Sequence, residues 1–143
     1  MSMESYQYIL GAFKCAELLH HHSHLVVKGD YSDHLLLGEL YSAYVEHFDS
    51  FAEKGIITYG EELVAVDGIL KMQMMCYKQQ TLGQNAIQNA LAMEKHILME
   101  LTELYNELKG TEELSLGLDD LIMATCSGIE RNIYLLTQRS KGW

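Results

Sequence analysis

Proline is absent from all 143 residues. No pyrrolidine ring therefore interrupts a hydrogen-bond ladder, and nothing forbids long continuous helices. Cysteine is sparse: Cys15, Cys76 and Cys126 are widely spaced and form no C-x-x-C pair. That excludes a disulfide framework or a cysteine-rich zinc site and is read as reduced, mostly buried thiols in a reducing compartment. No run of about 18 apolar residues supplies a membrane span, and no basic segment followed by an apolar one opens the chain, so a cytoplasmic protein with no membrane partner is expected. Positive charge is also scarce, ten Lys and Arg against twenty Asp and Glu, for a net charge of −10. Nucleic-acid affinity rests mainly on phosphate neutralisation, so DNA binding is not expected, whereas cation binding is compatible. There is no G-x-S-x-G, no P-loop and no Cys–His pairing, which leaves hydrolase and nucleotide-binding readings without support.

What is present suits one helical domain spanning 1–143. Apolar residues make up 48% and charged residues 21% of the chain, ordinary for a globular protein. Tyr6, Ile9, Leu10, Phe13, Ala16 and Leu19 recur at three- and four-residue spacings and predict a first helix over 3–27. "KGDYSD" breaks it at Gly29, and Asp33 or Ser32 is expected to cap a second helix from His34 to about Lys54. The next thirty residues, with glycines at 55, 60, 68 and 83, read as a crossover carrying a short helix near 67–80. A third long helix is predicted from Gln84 to Lys109, rich in good helix formers, and a fourth from Leu118 to about Gln138. Short first and last links make antiparallel neighbours, and the long middle link returns the chain along the molecule. The expected fold is all-α, a four-helix bundle with one long crossover, the connectivity of ferritin-like folds.

Helical geometry then sorts the residues that could do chemistry. Asp49 and Glu53 lie four apart, so both carboxylates leave one face of the second helix, with Glu46 close to the same stripe. Paired carboxylates joined by imidazoles suit iron, manganese or zinc, although an ordinary solvated face has the same spacing. His34 precedes Asp49 by fifteen residues, about 22 Å along a helix axis. These groups can share one ion only across a twofold interface, which requires an oligomer. On the first helix His20 and His24 share a face, while His21 and His22 point elsewhere. Glu17-Leu18-Leu19-His20 matches the Glu-x-x-His spacing of di-iron bundles but has no second copy, so a centre within one subunit is not expected. Met72, Met74 and Met75 are read as packing. Glu94, Glu100, Glu103 and Glu107 are read as a solvated face or the acidic inner wall of a cage, and Asp30 and Asp33 as turn chemistry.

"HLVVKGDYSDHLLLGELYSAYVEHFDSFAEKGI" resembles the signature of the Dps-type ferritin-like proteins, the DNA-binding proteins from starved cells. The match runs His24-Leu25-Val26-Val27-Lys28-Gly29, then His34, then Asp49, then Ala52-Glu53-Lys54, and "GIERNIYLLTQ" is similar to the family's closing helix. The resemblance implies a cage of about twelve subunits in which two histidines of one subunit and the Asp and Glu of its twofold mate bind iron, oxidise it and store it, giving oxidative protection. Carried over, His34, Asp49 and Glu53 would be catalytic in a ferroxidase, and His24, His34, Asp49, Glu53 or the competing His22 would hold the metal, with zinc or manganese as other occupants. The loop between the histidines is two residues shorter than the family pattern. His22 has the usual twelve-residue separation from His34, whereas His24 has the better flanking sequence. Leu25 replaces an aromatic residue, Gly38 stands where an acidic ligand is common, and no Lys-rich tail precedes the first helix. The other reading is a divergent bundle kept as an assembly or interaction module with weak or no ferroxidase activity, to which Gly38 and the short loop point.

Overall fold

The reversal after the first helix shows how local chemistry sets the frame. In the computed structural model, which describes residues 2–83 and 85–140, Gly29 takes a left-handed φ of 83° that stops the first helix. Asp30 then caps the second, its carboxylate accepting from the Ser32 N–H at 2.9 Å. The cap therefore sits two or three residues earlier than Ser32 or Asp33. The described residues form α1 (Ser2–Val26), α2 (Tyr31–Tyr59), a 3-10 turn (Glu61–Val64), α3 (Val66–Gln79), α4 (Ala86–Leu108) and α5 (Leu116–Ser140). No strand occurs among them, so the all-α expectation holds. The expected start of the third long helix at Gln84 lies outside the described residues.

Contacts between named residues give the topology. Tyr6 Oη donates to the Phe51 carbonyl at 2.6 Å and His24 meets His34, so α1 and α2 are antiparallel. Ser5 bonds Glu107 at 2.9 Å and His20 bonds Glu94 at 3.0 Å, which makes α4 antiparallel to α1 as well. Asn132 reaches Glu94 at 2.9 Å and Arg139 reaches Asp33 at 2.6 Å, so α5 opposes both α4 and α2. Helices α2 and α4 consequently run in the same direction. The chain must return the full length of the molecule between them, and α3 makes that return packed along α1.

The main core gathers Tyr6, Ile9, Phe13, Tyr44, Phe51, Ile97, Leu101 and Ile129 from all four long helices. A smaller cluster of Leu37, Leu40, Ile87, Ala90 and Leu136 closes the end near the first reversal. One boundary differs clearly from expectation. Helix α2 does not stop near Lys54 but passes through Gly55 to Tyr59, ending where Gly60 adopts φ 82°. Gly55 is there for closeness: a Cβ on it would lie 2.4 Å from Leu63 Cδ2 and 2.6 Å from the Tyr6 ring. No helix among the described residues is long and apolar enough to cross a membrane.

Candidate metal centre

Because α1 and α2 fold back on each other within four residues, His24 and His34 become neighbours. Their rings stack with centroids 3.8 Å apart at 23°. Each ring also reaches the other's backbone: His24 Nδ1 is 2.7 Å from the His34 carbonyl, and His34 Nδ1 is 2.8 Å from the His24 carbonyl. A carbonyl oxygen only accepts, so both Nδ1 atoms carry the proton. The two bonds orient the rings and leave Nε2, not Nδ1, as the nitrogen of each that can bind a metal. Both rings are half-buried, and Tyr31 and Tyr41 border them, with His21 stacked on Tyr41 at 4.2 Å.

Gly38 belongs to this arrangement. A Cβ there would lie 3.0 Å from His24 Cε1 and 3.1 Å from its Nδ1. At the position read as a missing acidic ligand, a side chain would press on the His24 ring. His22 is placed differently. It is exposed and borders a cavity of about 260 Å³ with His20, Ser23, Leu82 and Asn89, away from His34. Of the two candidate partners for His34, the fold brings in His24.

Asp49 and Glu53 are exposed on α2. Glu46, one turn earlier, is exposed too. Since α2 is continuous from Tyr31 to Tyr59, helical rise keeps Asp49 about 22 Å from His34. Among the described residues, no three His, Cys, Asp or Glu side chains gather as a metal-holding group within one chain. The chain thus presents an imidazole pair, His24 of α1 with His34 of α2, and a carboxylate pair farther along α2, apart from each other.

One carboxylate departs completely from its expected place. Glu94 is not on a solvated face; it is fully buried. Its Oε2 accepts from Tyr44 Oη and His20 Nε2, and its Oε1 from Asn132 Nδ2. Burial pushes the Glu94 pKa up, but the bonds from His20, Tyr44 and Asn132 outweigh it and hold the carboxyl below its usual range. The same charge and burial drive the Tyr44 hydroxyl up. His20 is also fully buried, and its Nδ1, without a partner among the described residues, lies in the ring that borders the cavity beside His22. A sequence signal for this layer existed. Ile87, Ala90, Glu94, Ile97, Leu101, Leu104 and Leu108 alternate at three and four residues, so Glu94 occupies a core position of α4. His20, Tyr44 and Asn132 fall on the corresponding stripes of their own helices.

The reading that no cysteine pairs with a histidine also fails in three dimensions. Cys76 on α3 lies beside His96 on α4, a pairing that only packing of distant segments creates. Cys15 and Cys76 are buried and Cys126 half-buried, all three free. Met72 packs in the interior as expected, but Met74 and Met75 are exposed at 52% and 41%. No family model matches this sequence, and no curated protein matches it.

Proposed function

We propose that this chain is a ferritin-like protein of the Dps type that binds iron at a site shared between two subunits, His24 and His34 from one and Asp49 and Glu53 from its twofold mate. The observation that carries the reading is the reciprocal tether of His24 and His34, which engages both Nδ1 atoms and leaves Nε2 of each ring as the nitrogen that can face a metal. Two imidazoles with two carboxylates suit Fe(II), and also Zn(II) or Mn(II). Fe(II) is the substrate in this reading. The carboxylates offset its charge and favour Fe(III), while the imidazoles hold the ion. The helix order, with α2 and α4 parallel and α3 in the crossover, supports a ferritin-like bundle. Asp49 and Glu53 are exposed and so accessible to a second copy.

Size-exclusion chromatography with light scattering, followed by anaerobic Fe(II) titration and exposure to oxygen, tests this. The expected result is a cage-sized particle that takes up and oxidises several Fe(II) per dimer, with uptake lost in Asp49→Ala. A monomer or simple dimer without uptake overturns it. A cage that neither binds nor oxidises iron leaves the fold as an assembly module.

A further inference from the structure

Helices α1 and α3 are parallel and packed unusually close. A Cβ at Gly68 would lie 2.6 Å from Gln7 Nε2, and one at Gly11 would lie 2.5 Å from Met72 Cβ. Residues 7 and 68, then 11 and 72, meet at a constant offset of 61. The next rung, four residues on, is Cys15 opposite Cys76. Both are free and nearly inaccessible, at 2% and 0%.

The two thiols have unequal surroundings. Cys76 sits against polar groups: Gln80 Nε2 reaches its sulfur at 3.7 Å, and Tyr8 and His96 lie beside it. Tyr8 Oη is 2.7 Å from Gln79 Oε1, which only accepts, and 2.9 Å from His96 Nε2. The Tyr8 proton therefore goes to Gln79, and His96 Nε2–H donates to Tyr8. Donation from Cys15 lowers the Cys76 pKa most; burial opposes it, and His96 lowers it further. The Cys76 sulfur in turn raises His96, against burial and with help from Glu100 and Glu103. Cys15 is pushed up, by Cys76 first and then by burial. Cys15, though not Cys76, borders an apolar cleft of about 310 Å³ lined by Leu18, Leu70, Met74 and Tyr77. Of the two sulfurs, Cys76 is the more readily ionised.

We propose that Cys15 and Cys76 form a redox-active dithiol that closes to an intrachain disulfide on reaction with hydrogen peroxide. The Cys76 thiolate attacks one peroxide oxygen and breaks the O–O bond, becoming a sulfenic acid. The leaving hydroxide takes up the proton that the Cys76 thiol released on ionising, with His96 beside the sulfur as the relay, and departs as water. The Cys15 sulfur then displaces the sulfenic hydroxyl, and that hydroxyl leaves as a second water with the Cys15 proton. In sum, two thiols and one peroxide give one disulfide and two waters. A small dithiol reductant returns two electrons and two protons and restores the pair. The chemistry uses neither the histidine pair nor the exposed carboxylates, so it stands or falls separately from iron binding.

The test uses the reduced full chain with a metal chelator present and equimolar peroxide. Free thiols are counted after denaturation, and a non-reducing digest is mapped by mass spectrometry. The expected result is a fall from three thiols to one, with Cys15 and Cys76 peptides linked, Cys126 free, and reversal by dithiothreitol. Cys15→Ser should stop at a dimedone-trappable sulfenic acid on Cys76, Cys76→Ser should lose no thiols, and Cys126→Ser should behave as the parent. Circular dichroism checks that each variant is folded. Retention of all three thiols in the folded parent overturns the proposal, as do oxidation at the rate of free cysteine and linkage only through Cys126.

Discussion

Glu94 is the residue on which most depends, because a fully buried carboxylate is tolerated only while its donors stay in place. Replacing it with Ala leaves His20, Tyr44 and Asn132 without their acceptor in the core, and breaking a buried pair of this kind costs about 3 to 5 kcal/mol. Urea unfolding at neutral pH should show a loss of that size, and Glu94→Gln, which keeps an acceptor, a smaller one. The pH dependence follows from the lowered pKa. The folded value lies below the ordinary 4.5 of the unfolded chain. Stability from this group is therefore complete above that pH and is lost as pH falls toward the folded value. The urea midpoint of the parent should drop more steeply below about pH 4.5 than that of Glu94→Gln, since Gln does not titrate. Equal slopes would remove Glu94 as the cause. Residue identity and spacing carried this information, yet charge count favoured a solvated face. Four polar residues at core positions of four different helices were the clue, and it becomes visible only when the stripes are compared.

Helix boundaries were legible where turn chemistry is local and illegible where packing decides. The break at Gly29 and the short helix in the crossover follow from the sequence, and α3 begins within one residue of its expected start. The end of α2 does not. Gly55 looks like a terminator, but what matters there is the approach of Leu63 and Tyr6, which come from other segments. Gly55→Ala has a favourable intrinsic helix propensity and should nonetheless destabilise by about 1 to 3 kcal/mol, through overpacking. Thermal unfolding of this variant beside Gly128→Ala, a helical glycine with nothing within 4 Å of an added Cβ, separates the two effects. Gly128→Ala should be neutral or stabilising. A stabilised Gly55→Ala would mean that the contact is slack. At the reversal, Asp30→Ala removes both the cap and one carboxylate facing Arg139, and should cost about 1 kcal/mol in the same melt.

For the whole molecule, link lengths sufficed for the direction of the long helices, because a chain cannot place α2 and α4 parallel without a long return. The histidine cluster was only half readable. Spacing left His22 and His24 in competition, and the choice depends on how far the reversal rotates α1 against α2. The partner subunit's contribution is beyond a single chain, but sharing has a sharp signature. His34→Ala and Asp49→Ala should each abolish Fe(II) binding, because each homodimer loses both sites. After unfolding and co-refolding equal amounts, half the dimers are mixed and each mixed dimer has one undamaged site. About a quarter of parental binding capacity should return. Isothermal titration of the mixture measures it, and no recovery would mean that the four residues do not form a shared site.

The buried layer of His20, Tyr44, Glu94 and Asn132 also works as a key. Apolar stripes are nearly self-similar from one turn to the next, so a helix sliding by about 5.4 Å meets another acceptable set of Leu and Ile neighbours. The layer removes that degeneracy. Any one-turn slip leaves a carboxylate facing hydrocarbon and three donors with nothing to bond. The register of the four long helices is thus keyed by one acid and its partners, while the short reversal places His24 against His34.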